Sequence, residues 1–138
     1  MALEIRVGEK EGAVHGTSLD MTDLATSFRT IQNGSQLEIL ANAKAISWPY
    51  PKTLRILRVV ASDGPVCVRV DGDALVIEGD STMLHSIASF CTFSPADALR
   101  TGHHSHYEWY NGNRWIAKQS LPLVFGTLCC STWPPSKA

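Results

Sequence analysis

No excess of charge of either sign marks this chain. Twelve Lys and Arg face thirteen Asp and Glu, a formal net charge of −1 over 138 residues. That leaves no net field to condense onto a nucleic-acid backbone or an anionic membrane, so neither is an expected partner. Long apolar runs are missing too, the longest being about five residues against the roughly 20 that span a bilayer. The opening Met1-Ala2-Leu3-Glu4-Ile5-Arg6 lacks the basic-then-apolar order of a secretory signal, and the expected compartment is the cytoplasm. Cysteine is scarce: Cys67, Cys91, Cys129 and Cys130 contain no C-x-x-C pair and are too irregular for a disulfide framework, so they read as reduced thiols. Catalytic signatures are absent as well. No G-x-S-x-G elbow occurs, and Gly8, Gly12 and Gly16 have the wrong spacing for a dinucleotide fingerprint or a P-loop. No cofactor is expected.

What is present suits a globular domain, with 44% hydrophobic and 18% charged residues. The strongest organising signal is an internal echo. Leu3–Val7 and Val66–Val70 share an alternating pattern 63 positions apart, and the same offset pairs Gly16 with Gly79, Ser18 with Ser81 and Ala25 with Ala88. The chain therefore reads as one domain over 1–127, made of pseudo-repeats 1–63 and 64–127, with 128–138 as a loose tail. Each copy reads as two short strands, a glycine and a helix. Met21, Leu24, Ala25, Phe28 and Ile31 fall on one helical face, as do Leu84, Ile87, Ala88 and Cys91. Thr17 or Ser18 can cap the first helix, and Asp80 or Ser81 the second.

Further strands are expected at Leu37–Ala41 and Leu54–Ala61, separated by Pro49-Tyr50-Pro51, and Asp71-Gly72-Asp73 reads as a hairpin turn. A strand over His103–Tyr110 should return through Asn111-Gly112 along Arg114–Lys118, followed by Leu121–Phe125 with Pro122 near its start. The class is α+β, with repeated ββαββ units forming antiparallel sheet and both helices packed on one face. Grouped from Ala13, the order is similar to one domain of a DNA sliding clamp, an analogy of fold that implies no clamp activity.

Reactive side chains concentrate in His103-His104-Ser105-His106-Tyr107-Glu108-Trp109-Tyr110. Strand alternation puts His104, His106, Glu108 and Tyr110 on one face. His-x-His can grip a zinc ion with Glu108 as third ligand or general base, which makes a metal-binding protein or zinc-dependent hydrolase the alternative function. No distant Cys, His or Asp pair has ligand spacing, and His15 and His85 stand alone at element edges, so a partner-facing sheet surface is the simpler reading. Trp48-Pro49-Tyr50-Pro51 is a stiff aromatic loop that loses little entropy when a partner covers it. The acidic turn of Asp71 and Asp73 could attract a basic partner. The candidate partner-binding residues are thus Trp48, Tyr50, Asp71, Asp73, His104, His106, Glu108, Tyr110 and Arg114, with no catalytic or metal-binding residue assigned. Self-association into a homodimer through β-rich edges is a further reading.

Four stretches also resemble the immunity protein 32 family of bacterial polymorphic-toxin systems. They are Val14-His15-Gly16-Thr17 with Leu24-Ala25; Pro49-Tyr50 followed by Leu54; Val70 through Gly79; and His103 through Tyr110 leading to Ser120-Leu121-Pro122-Leu123-Val124. The turn departs from the family, since Tyr110-Asn111-Gly112-Asn113 stands where members often carry Tyr-Pro-Gly-His. The resemblance implies a non-enzymatic protein that binds and neutralises a cognate toxin domain.

Overall fold

In the computed structural model, which describes residues 2–42, 44–93 and 104–128, nine strands and two helices follow one another. In chain order these are β1 (Glu4–Val7), β2 (Gly12–Gly16), α1 (Ser18–Thr30), β3 (Gln36–Leu40), β4 (Lys52–Leu54), β5 (Ile56–Ser62), β6 (Cys67–Asp71), β7 (Ala74–Asp80), α2 (Ser81–Ser86), β8 (His104–Tyr107) and β9 (Leu123–Thr127). The class is α+β. The second helix is shorter than its apolar periodicity suggests, because α2 tightens into a 3₁₀ turn over Ile87–Cys91. The tightening keeps the same residues inside, with Leu84, Ile87, Ala88 and Cys91 all buried.

Local chemistry sets the helix starts. The Thr17 hydroxyl accepts the Asp20 N–H at 3.1 Å while the Asp20 carboxylate accepts the Thr17 N–H at 3.1 Å. Such a reciprocal cap is worth about 1 kcal/mol. Asp80 does half of this for α2, its Oδ1 accepting the Thr82 N–H at 2.9 Å. Ahead of each cap stands a glycine in a crowded position. A Cβ on Gly16 would lie 2.9 Å from Asp20 Cβ, and one on Gly79 would lie 2.8 Å from Val66 Cα. No side chain fits either place, which gives the Gly16 and Gly79 pairing in the sequence a physical reason.

The strands form two sheets, one in the order β4-β1-β2-β9-β8 and the other β3-β5-β7-β6. Outer pairs are antiparallel, but the central pairs β2·β9 and β5·β7 are parallel. The five-stranded sheet therefore joins early strands to late ones, whereas the four-stranded sheet is built from the middle of the chain, between Gln36 and Asp80. Helix α1 packs on β2 and β9, α2 packs on β7 and β5, and α1 lies along α2 and the 3₁₀ turn. One apolar cluster runs through these layers, including Ile5, Val14, Met21, Leu24, Phe28, Leu57, Ile77, Leu84 and Phe125. At its centre Phe28 meets Phe125 edge-on, with ring centroids 6.4 Å apart. No helix among the described residues is long and apolar enough to cross a membrane.

The late hairpin differs from its expectation. The Asn111-Gly112 turn forms, with the Asn113 N–H on the Tyr110 carbonyl at 2.9 Å and Gly112 at φ +90°. It does not join two paired strands. Strand β8 ends at Tyr107 and takes β9 as its antiparallel neighbour. Residues 115–121 instead cross to the open edge of β6. There Val66 donates to the Trp115 carbonyl and Ala117 donates to the Val66 carbonyl, both at 2.8 Å, and Ser120 Oγ accepts the Val68 N–H at 2.8 Å. A free strand edge exposes unmet donors and acceptors, and this segment satisfies those of Val66 and Val68 at the start of β6. Leu128 is buried, its N–H on the Gly16 carbonyl at 2.8 Å. Cys129, Cys130, the tail beyond them and His103 lie outside the described residues.

Candidate functional site

The side chains worth functional attention stand on the outward face of the five-stranded sheet. Alternation sends Ile5, Val14 and Phe125 into the core and leaves Glu4, Arg6, His15, Val124, His104 and His106 on the other side. The register sets Glu4 opposite His15, His15 opposite Gly126, and Gly126 opposite His104. A glycine thus separates the two imidazole positions. The next row runs Arg6, Ala13, Val124, His106. The His104 and His106 rings meet edge-on with centroids 4.9 Å apart.

The segment leading from β3 to β4 roofs one end of this face. Arg6 is fully buried beneath it, donating from Nε to the Ile46 carbonyl at 2.6 Å and from Nη2 to Glu4 Oε2 at 3.1 Å. Burial lowers the Arg6 pKa, and the hydrogen bond and charge of Glu4 counter that shift. Beside it, burial pushes the His15 pKa down to about 3, with help from the positive charge of Arg6. His15 is therefore neutral at pH 7. Tyr50 closes the roof by donating its hydroxyl to Glu11 Oε2 at 2.5 Å. Burial, that hydrogen bond and the Glu11 charge all raise the Tyr50 pKa. A small pocket of about 180 Å³ opens between Glu11, His15, Tyr50, His104, His106 and Val124.

A larger cleft of about 490 Å³ adjoins it across His106. Its walls carry Phe90, Tyr107, Tyr110, Trp115 and Ile116, with Ser86, Glu108 and Asn113 among the polar lining. Phe90 and Tyr107 pack edge-on at 5.0 Å. Asn113 Oδ1 accepts the N–H groups of Trp115 at 2.7 Å and Ile116 at 3.2 Å, which fixes the chain where it presents the Trp115 indole. On the other side, Glu11 and Tyr50 also line a shallow depression with the Gly8–Lys10 turn, Pro49 and Pro51. Shared lining residues make these three hollows one continuous surface.

Five of the candidate residues meet on that surface: Tyr50, His104, His106, Glu108 and Tyr110. Trp48 is exposed and precedes Pro49 at its rim, and Arg114 is exposed beside Trp115 in the chain. Asp71 and Asp73 do not join them. They flank the β6–β7 turn on the other sheet, where Asp71 lies 3.7 Å from Arg58 and the Asp73 carbonyl accepts the Arg55 and Ile56 N–H groups. The turn thus meets the neighbouring strand through the Asp73 backbone and a surface ion pair of Asp71. The structure adds Glu11, His15 and Trp115. Trp115 carried a signal, as an aromatic in a polar loop, whereas His15 looked like an isolated edge residue and proves to be buried within a strand.

For the zinc alternative, β8 ends at Tyr107, so Glu108 leaves the strand and lines the large cleft, while His104 lines the small pocket. Among the described residues, no three His, Cys, Asp or Glu side chains come together to hold a metal ion. His85 is engaged elsewhere, with Nε2 2.7 Å from the Ile31 carbonyl. Cys91 is buried, which raises its thiol pKa and suppresses the nucleophilic thiolate. Comparison with protein-family models, curated proteins and solved structures found no match to this chain.

Proposed function

We propose that this chain is a non-enzymatic binding protein of the immunity type, which neutralises a cognate bacterial toxin domain in the cytoplasm by covering it. The observation that supports the reading is the continuity of the outward face from the Trp48–Pro51 loop through His104 and His106 to Tyr110 and Trp115. Interfaces draw their energy from a few aromatic anchors surrounded by polar groups. This face offers Trp48, Tyr110 and Trp115 at 61%, 65% and 48% exposure, on a sheet held rigid by a buried Arg6. A preorganised surface loses little entropy on binding.

The test is co-expression with the toxin domain encoded beside this gene. The wild-type chain should restore growth and form a stable complex with the purified toxin. Tyr110→Ala and Trp115→Ala should each weaken that complex about 30-fold, as expected for an anchor worth about 2 kcal/mol. Asp73→Ala, on the other sheet, should leave it unchanged. Failure to rescue, or equal loss from all three substitutions, overturns the reading.

A further inference from the structure

Among the described residues, no Lys or Arg lines the large cleft. Its walls present the rings of Phe90, Tyr107, Tyr110 and Trp115, and of the described residues that line it Glu108 is the one with a formal charge. The negative faces of aromatic rings and a carboxylate together form a site that attracts positive charge. The described Lys and Arg side chains that follow Glu108 in the sequence do not supply it. Lys118 sits over a different ring, with Nζ 5.7 Å from the centroid of Trp109, and Arg114 does not line the cleft. The chain thus already uses a cation–ring contact one residue away from Glu108, and no described Lys or Arg lines the neighbouring set of rings.

We infer that this cleft is the receptor for an arginine side chain on the partner's surface. The inference rests on the binding function proposed above and specifies the chemistry of the partner. A neutral apolar occupant would cover Glu108 without pairing it, and an acidic one would face its carboxylate, both unfavourable. A lysine would satisfy the charge alone. An arginine matches every wall: its methylene stem lies on Phe90 and Ile116, its planar guanidinium stacks on Tyr110 or Trp115, and its fork of N–H donors meets the Glu108 carboxylate. The volume of about 490 Å³ takes one long side chain with the backbone that carries it.

The site is tested without any toxin, by titrating the purified full chain with N-acetyl-arginine methylamide and following the indole N–H signals by NMR. The Trp115 signal, assigned through Trp115→Phe, should shift saturably while that of Trp48 stays in place. The corresponding blocked lysine should bind more weakly than arginine, and blocked norleucine and blocked glutamate at least about fivefold more weakly. Glu108→Gln should remove the preference for arginine over norleucine, and Asp73→Asn should preserve it. Glu108 is exposed, so its replacement leaves the fold intact, and dispersed amide signals verify this. No shift at Trp115, tighter binding of lysine, norleucine or glutamate than of arginine, or indifference to Glu108→Gln each overturns the inference. A negative titration beside a successful growth rescue removes the arginine anchor alone; a positive titration with failed rescue removes the immunity reading and leaves the site.

Discussion

On the four-stranded sheet, the outward row Glu38, Arg58, Val76 and Arg69 carries its charges at or near the surface, with Arg58 2.7 Å from Glu38 and Arg69 2.9 Å from Glu78. On the five-stranded sheet, the matching outward row Arg6, Ala13, Val124 and His106 runs from a guanidinium with no exposure to an imidazole in solvent. Both rows come from strands with polar residues on their outward side. What separates them is the segment between β3 and β4, which folds over one end of the second row and hangs its Ile46 carbonyl on Arg6. Charges on the first sheet remain ordinary surface pairs, worth at most about 1 kcal/mol each. On the second, Arg6 is desolvated, and burial keeps its neighbour His15 neutral.

The contrast can be broken by substitution. Arg6→Met should cost about 3–5 kcal/mol, since it leaves Glu4 buried without its partner and frees the Ile46 carbonyl. Urea midpoints at constant m-value measure it. Adding Glu4→Gln should recover part of the loss, because no charge is then left buried alone. A cost for Arg6→Met no larger than for Arg58→Met would erase the distinction between the sheets.

Acid should sharpen it. His15 titrates near 6.5 in the unfolded chain and near 3 in the folded protein. Above pH 6.5 both states are neutral there and the shift contributes nothing. Between 6.5 and 3 only the unfolded chain takes the proton, so folding stability falls as pH falls, by up to about 1.4 kcal/mol per pH unit. His15→Gln should flatten that slope in a series of urea unfolding curves. The smallest effect is expected on the other sheet: Arg58→Met should cost less than about 1 kcal/mol and shrink further with added salt.

Much of the architecture was legible because its signals are local. The Thr17 and Asp80 caps, and Gly16 before the first of them, lie within a few residues of the structure they determine. The pairing of β2 with β9 was not, since a parallel neighbour more than a hundred residues away leaves no mark on either strand's own pattern. The Asn111-Gly112 turn shows the same limit from the other side: its chemistry gave the bend correctly, but the destination of residues 115–121 was set by the unmet edge of β6. For the site, Tyr50, His104, His106, Glu108 and Tyr110 were recognisable as side chains that soluble strands and loops do not require. Asp71 and Asp73 were equally conspicuous and stand apart from these, on the other sheet. His15 went unrecognised because burial, which removes its charge, depends on a roof supplied by residues far along the chain.

Strand β9 lies between β2 and β8 and is, among the described residues, the last strand in chain order. Until Leu123–Thr127 leaves the ribosome, His104 and His106 have no sheet to join, although the acidic turn and its ion pairs already have their neighbours. A polypeptide that stops short of Leu123 would therefore leave β8 without its hydrogen-bonded neighbour, and His104 and His106 without the strand that sets them in line with His15 and Arg6.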